Sequence, residues 1–516
     1  MSMRIIKDVD ELSKGARIFI YGTGVAGKAF LFYLSKMRPD VKMLGFVDTY
    51  KSGKCCGHKI YKFENFIKKF ERDDFDLILI ASMYHEAIKK LLSENGMENY
   101  ALVKGKNPAY SIFIEDKDCK YYLKKISDFL LKTLFLLFRK KNIIVVGEYG
   151  GNFVGNSKYF YLYLKERGIE NVYWLTKNKV YYDKLKKSNI KAVFYGKDSY
   201  IFKLLTTSFV VFDNRDWWRE YPILLKLPLK KIQLWHGVGF KYIELSLLSD
   251  KFLRSLNMKE KKLLKKRYPS YDLLVTTSDF YAEKVFAPAF GMPIEKVKSL
   301  GYPRNDVLYR EIPGEEINTD AKVLEFAKEF KKSGGKIVVF APTFRDLNIK
   351  VDMKNVFDYE KLNSFLLKYN IVFIIKGHPL PYVEYEIEKA VDMYKNILIY
   401  DNSKDVYPLL KITDLLITDY SSIYTDFLHT GRPVLFYPFD YEEYTDLHRE
   451  LQFDYNEMTP GPKAKNFEEL LNWINHFLVE GKDGFESERK RILNLAFKYK
   501  DGNSSQRIFE EIMELR

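Results

Sequence analysis

The sequence predicts an α/β protein made of three modules in a row, and three observations predict it. Short apolar runs alternate with amphipathic stretches, the pattern of βαβ units whose strands form parallel sheets. Two breaks in that rhythm, near residues 105–120 (GKNPAYSIFIEDKDCK) and at Gly334-Gly335, divide the strands into three series. A length of 516 residues gives a prior of about three domains.

The first series opens with a strand at 17–21 (RIFIY), a glycine-rich turn and a helix running to about Met37. Strands at 42–47 and 75–81 (FDLILIA) follow, then a helix over 84–94. The second series begins at 142 (NIIVVG) and continues through 172–176, 191–194, 208–212, 231–235 and 272–277. The third comprises 336–341 (KIVVFA), 371–376 (IVFIIK), 396–400, 414–418 and 433–437. No short-period repeat or long low-complexity tract interrupts them.

Composition narrows the class. With 47% apolar and 30% charged residues, the chain is neither mainly disordered nor fibrous. No apolar run reaches 18 residues, and the N-terminal MSMRIIKDVDELSKG lacks the apolar core of a signal peptide. A cytoplasmic location is the expectation. The three cysteines, Cys55, Cys56 and Cys119, have no zinc spacing and fit a reducing compartment. Lys and Arg exceed Asp and Glu by 84 − 69 = +15, so the surface attracts polyanions. Nucleic acid, anionic lipid and phosphate-rich substrates all satisfy that charge, as does a compositional bias towards Lys, Ile, Tyr and Phe. No helix-turn-helix, zinc or aromatic-basic RNA signature supports specific nucleic-acid binding.

Two segments break the alternation. Residues 120–141 (KYYLKKISDFLLKTLFLLFRKK) have an apolar centre with lysines at both ends. That suits either a helix lying in a membrane interface or an interdomain helix packed on protein. Residues 251–267 carry eight basic residues against one Glu, which suits a solvated helix face or docking on a polyanion.

The residues that carry chemistry cluster at strand ends, where open α/β sheets bind ligands. Gly22-x-Gly24-x-x-Gly27 follows a strand and opens a helix, and Asp48 ends the next strand. This is the arrangement that brings backbone to a pyrophosphate and a carboxylate to a ribose. The block has one nucleotide half only, so a vestigial or regulatory site is the alternative. Among only seven histidines, His236 (IQLWHGVGFK) and His378 (IVFIIKGHPLP) each follow a strand in the last two modules. A histidine there can exchange a proton near neutral pH. LLITDYSSIYTDF runs a strand into Asp419, Ser421 and Ser422, with Asp426 one helical turn on. Hydroxyls and free N–H groups at such a turn hold phosphate, or merely cap a helix. Thr343, Arg345 and Asp346 follow strand 336–341, and the Arg345 fork suits phosphate. Gly301, Pro303, Arg304 and Asn305 lie at the crossover between modules, and Gly461 lies in a Pro-Gly-Pro loop that can face an anion.

The WHG, YPRND, APTFRD, KGHP and TDYSS…D series, in this order, resembles the CDP-glycerol glycerophosphotransferase family, the teichoic-acid-type polymerases and primases. The resemblance covers roughly residues 142–500, with its opening at Gly151–Tyr161 and its closing at FDYNEMTPGP. One departure is Gly155, which sits where an acidic residue is common before Asn156-Ser157. The resemblance implies a GT-B architecture: an acceptor-side lobe at 142–315 and a CDP-donor lobe at 316–516. A linker with the basic, apolar helix (109–141) and a Rossmann-like, nucleotide- or sugar-nucleotide-binding-like domain (1–108) precede them. That first block is similar to domains at the start of sugar-modifying acetyltransferases and epimerase-like proteins.

The implied reaction moves glycerol phosphate or ribitol phosphate from a CDP-alditol to a hydroxyl of a lipid-linked or polymeric glycan, releasing CMP. His236 would act as general base and His378 as acid or cationic stabiliser. Arg345, Thr343, Asp419, Ser421, Ser422, Asp426, Arg304 and Gly461 would serve the donor and its phosphates. The resemblance implies no metal and no cofactor, and a peripheral position on the inner face of an anionic membrane. A GT-B glycosyltransferase using a nucleotide sugar and a non-catalytic nucleotide-binding protein are the alternatives.

Overall fold

The computed structural model describes residues 4–6, 8–82, 84–103, 133, 135–138, 140–196, 198–268, 270–343, 356–376, 393–441, 444 and 451–515. Three sheets follow one another along the chain. The first has the spatial order Ile5–Ile6, Tyr100–Val103, Leu77–Ile80, Arg17–Tyr21, Lys42–Asp48, His58–Lys62, Gly53–Cys55. All its pairings are parallel except the last, a short hairpin. The second sheet is wholly parallel, ordered Ala192–Phe194, Val172–Thr176, Asn142–Val146, Thr207–Phe212, Lys230–Gln233, Leu273–Thr276, Val297–Ser299. The third, also parallel, runs Ile397–Ile399, Ile371–Ile375, Lys336–Phe340, Leu415–Thr418, Val434–Phe436.

The central strands are apolar without alternation because helices cover both faces. Asn142–Val146, Leu273–Thr276, Ile371–Ile375 and Leu415–Thr418 are buried at every position. One continuous core joins the second and third sheets, so these two lobes are packed together. Their coupling extends to the C-terminus. Helix Ser504–Glu514 lies on the lobe of the second sheet: the Ser504 and Ser505 amides both donate to buried Asp306, and Phe509 meets Tyr163. Deeper between the lobes, Lys158 Nζ, fully buried, donates to Asp405 at 2.6 Å and to the Glu315 carbonyl at 2.7 Å.

The basic stretch at 251–267 forms two helices, Asp250–Ser255 and Met258–Arg267. Its apolar side packs inside the protein. Phe252 meets Phe32 and Tyr33 of helix Val25–Met37, and Leu248 and Leu256 complete a core shared with the first sheet. Lys36 Nζ pairs with Glu260 at 2.8 Å. The segment is therefore the seat of the N-terminal unit. Lys259, Lys261 and Lys262 stay exposed on the other side. Most of 120–141 lies outside the described residues. Among the described residues no helix is long and apolar enough to cross a membrane.

Candidate functional site

The carboxyl ends of the second and third sheets converge where the Trp235–Gly239 loop meets the Asp419–Ser422 loop. Trp235, two positions beyond strand Lys230–Gln233, has a left-handed backbone (φ 58°), rare for a bulky side chain and typical of functional turns. Three hydrogen bonds hold it there. The Trp235 amide donates to Gln233 Oε1 at 2.9 Å, Asn156 Nδ2 donates to the Trp235 carbonyl at 2.8 Å, and Gln233 Nε2 donates to the Asn214 carbonyl at 2.9 Å. The indole stacks on the His236 ring with centroids 4.2 Å apart. His236 Nδ1 lies 3.2 Å from the Asp213 carbonyl oxygen and 3.9 Å from Glu148 Oε1. The His236 side chain is about two-fifths exposed, so a ligand can reach it.

Glycine lets the other lobe approach. A Cβ on Gly237 (φ 145°) would stand 2.9 Å from Ser422 Oγ and 3.1 Å from an Arg304 terminal nitrogen. One on Gly239 would stand 3.3 Å from Ser422 Cβ. Thr425 Oγ1 donates to the Val238 carbonyl at 3.1 Å, fastening the loops across the lobes. We expect Gly237→Ala to separate them and to lower kcat of any reaction at this cleft by about tenfold through misplacement of reacting groups. Steady-state kinetics checks this, with thermal unfolding recorded beside it for the strain of a Cβ at φ 145°.

Arg304 is the bridge. It donates from Nη1 to the His236 carbonyl at 2.8 Å and from Nη2 to Asp426, which also accepts from Tyr407 Oη at 2.7 Å. Burial is the largest influence and opposes the guanidinium charge, but Asp426, Tyr407, Tyr302 and Glu148 together outweigh it and hold the pKa above its ordinary value. Arg304 and Asp426 therefore meet each other; Asp426 is wholly buried. Asp419, also buried, uses Oδ1 to accept from the amides of Thr343 and Tyr420, fixing the turn after Ala341. Ser421 and Ser422 line the turn before helix Ile423–Phe427, whose five residues give a weaker end-dipole than a full helix. The Gly461 amide donates to the Thr459 carbonyl at 3.0 Å, and a Cβ there would meet the Val434 carbonyl at 2.2 Å. Gly461 thus serves close packing beside strand Val434–Phe436, and its N–H is already engaged. His378, Arg345 and Asp346 lie outside the described residues. Lys376, at the end of Ile371–Ile375, is pushed down to about 8 by burial, with Asp405 and Asp401 opposing that shift.

Two acids that sequence reasoning passed over stand at the same crevice. Asp213 follows Thr207–Phe212, and Glu148 follows Asn142–Val146. The rule that selected His236, a polar residue just past a buried strand, also selects them. Gly155 has its explanation here: it takes φ 68°, and a Cβ would stand 3.0 Å from Asp213 Oδ2. An acidic side chain at 155 would set a second carboxyl against a buried one.

In the first sheet, Gly24 caps helix Val25–Met37, and a Cβ on Gly27 would collide with the Gly22 carbonyl at 1.9 Å. The glycines therefore permit tight strand-to-helix packing. Asp48 is occupied by its own loop: Oδ1 accepts from the Tyr50 and Lys51 amides and Oδ2 from Thr23. Among the described residues, no group of three or more His, Cys, Asp and Glu could hold a metal ion.

Comparison with known proteins locates the architecture. Residues 129–514 match the family described as CDP-Glycerol:Poly(glycerophosphate) glycerophosphotransferase. A teichoic acid glycerol-phosphate transferase of Staphylococcus aureus is 29% identical over 409 residues, 77% of this chain and all of that protein. The teichoic acid ribitol-phosphate polymerase TarK of the same organism is 29% identical over 406 residues, 74% of this chain and 72% of its own length. A teichoic acid glycerol-phosphate primase of Bacillus subtilis is 31% identical over 287 residues, 55% of this chain and 68% of its own. The solved structure of the wall teichoic acid polymerase TagF superposes with a TM-score of 0.57 at 24% identity, covering 76% of this chain and 96% of that one. The GT-B arrangement of the second and third sheets is thus shared with that polymerase.

Proposed function

Since this chain belongs to the CDP-glycerol:poly(glycerophosphate) glycerophosphotransferase family, we propose that it transfers an alditol phosphate from a CDP-alditol to a hydroxyl of a teichoic-acid-type glycan acceptor. The single observation carrying this reading is the meeting of the His236 loop with the Ser421–Ser422 turn across the two lobes. In this reading a proton acceptor from one lobe would face phosphate-binding groups from the other.

The chemistry follows from that placement. An acceptor hydroxyl attacks the phosphorus bearing the alditol, and His236 takes its proton. The bond from that phosphorus to the CMP oxygen breaks, and CMP leaves with the electron pair. His236 Nδ1 faces a carbonyl oxygen, which can only accept, so Nδ1 carries the hydrogen and Nε2 is the basic atom. Ser421, Ser422 and the turn's N–H groups would hold the diphosphate, and Arg345 and His378, outside the described residues, would supply positive charge. Arg304 and Asp426 would act at one remove, by fixing the His236 carbonyl. Asp419 would shape the Thr343 turn. The basic surface suits a poly(alditol phosphate) product and an anionic membrane bearing the acceptor. Residues 1–108 would form a separate Rossmann-like unit seated on 248–260, and Gly22, Gly24 and Gly27 the strand-to-helix turn of any nucleotide site there.

Donor identity is the test. Purified protein with a teichoic-acid acceptor is offered CDP-glycerol, CDP-ribitol and a panel of nucleotide sugars, and the nucleotide released is identified chromatographically. Acceptor-dependent CMP is the expected product. UDP or another nucleoside diphosphate from a sugar donor would instead establish a glycosyltransferase.

A further inference from the structure

Glu148 has no place in the reaction as derived above, yet it occupies the wall beside the proposed base. It is the first residue of a short helical turn, Glu148–Gly151, directly after the buried strand Asn142–Val146. The turn is anchored on both sides. The Asn152 amide donates to the Glu148 carbonyl at 2.7 Å, and the Gly150 amide donates to Glu220 Oε1 at 2.9 Å. Asn214 Nδ2 donates to the Gly147 carbonyl at 2.8 Å. A Cβ on Gly147 would meet the Asn152 carbonyl at 2.2 Å, so the chain enters this turn along one path. The outcome is a carboxylate aimed at the Nδ1 edge of a ring already fixed by Trp235 stacking and the Asp213 carbonyl.

We propose that Glu148 is the positioning residue of His236, its carboxylate holding the Nδ1–H tautomer and stabilising the imidazolium formed when Nε2 takes the acceptor proton. The inference rests on the reading of His236 as general base. The balance is simple: the acceptor O–H bond breaks, an Nε2–H bond forms, and Glu148 remains ionised throughout as counter-charge. At 3.9 Å, an opposite charge in a partly buried crevice favours the charged imidazole.

The groups facing Glu148 set when it is ionised. Burial pushes its carboxyl up to about 7; Arg304 pulls against this and Glu220, from helix Trp217–Glu220, adds to it. The Asp213 carboxyl is held well above its usual range by burial and by the Glu148 charge, while Ser157 and Arg304 oppose that. Among the described residues its Oδ1 has no hydrogen-bond partner. Asp213 therefore leaves Glu148 as the carboxylate that ionises near neutrality beside the ring. Since the carboxyl is charged above its pKa, its support for His236 is present above about pH 7 and fades below it.

The experiment pairs two readouts on the full chain. Imidazole-15N NMR follows His236, assigned with His236→Asn, across pH 5–9 in wild type, Glu148→Gln and Glu148→Asp. In parallel, CMP release from CDP-glycerol and equilibrium binding of CDP-glycerol are measured. Glu148→Gln is expected to lower the His236 midpoint by about one pH unit and kcat by about tenfold or more. CDP-glycerol affinity should stay within about twofold. Glu148→Asp, which keeps the charge, should keep the His236 midpoint nearer to wild type. An unchanged His236 midpoint and pH profile in Glu148→Gln would overturn the proposal. If wild type releases no CMP from any CDP-alditol, the functional reading fails, while the NMR arm still decides whether Glu148 governs His236.

Discussion

His236→Ala is expected to lower acceptor-dependent CMP release by about 10²- to 10⁴-fold, the range of a general base. The donor should still bind, since Ser421, Ser422 and the turn after Ala341 belong to the opposite lobe. The fold should survive because His236 is part-exposed and its loop is held by Gln233, Asn156 and Arg304 without the ring. A fall in kcat with near-constant donor Kd would place the ring in the chemical step. A fall in affinity of the same size would make it a donor-binding group instead. Trp235 adds a control: Trp235→Phe keeps an aromatic surface for stacking and should cost far less than His236→Ala.

Arg304→Ala is expected to be the most damaging change to stability. It strands Asp426, wholly buried, with Tyr407 its one remaining hydrogen-bond partner among the described residues, and it frees the His236 carbonyl. Removing one member of a buried ion pair costs about 3–5 kcal/mol, because the partner's charge stays in a poor solvent. Replacing both partners with apolar residues of similar volume, Arg304→Met with Asp426→Leu, should recover much of that loss. It should not recover activity, since the tie to the His236 carbonyl is gone. Thermal unfolding and CMP release on the single and double variants separate the two effects. Full activity in a stable double variant would show that Arg304 matters only for folding.

Much of the fold was legible because buried parallel strands are apolar on both faces. KIVVF, IVFII and NIIVV stand out against a lysine-rich background, and the structure places strands at each. Apart from the buried strand Tyr100–Val103, the elements passed over lack that contrast. Gly53–Cys55 and His58–Lys62 sit at a sheet edge and are partly exposed, and Val297–Ser299 has three residues. Basic residues at 251–267 suggested a solvated helix face or a polyanion dock, and only the packed chain shows Phe252 covered by Phe32 and Tyr33.

The site was legible in proportion to the rarity of its residues. Seven histidines make one after a strand conspicuous, whereas 69 acids make Glu148 and Asp213 easy to read as ordinary polar ends. Arg304 and Asp426 were each visible at a loop or helix start. Their mutual pairing was not, because it joins positions 122 residues apart across two lobes. Glycine carried more than its usual message. In WHGVG the two glycines look like turn residues, and the structure shows them making room for Ser422.

The most direct measurement follows the phosphorus. CDP-glycerol labelled in the glycerol phosphate is incubated with the protein and a teichoic-acid acceptor, and 31P NMR and mass spectrometry identify where the label goes. The account predicts one new phosphodiester on the acceptor for each CMP released, with both products lost together in His236→Ala. Label recovered as free glycerol phosphate at the same rate with and without acceptor, or retained in intact donor, would contradict it.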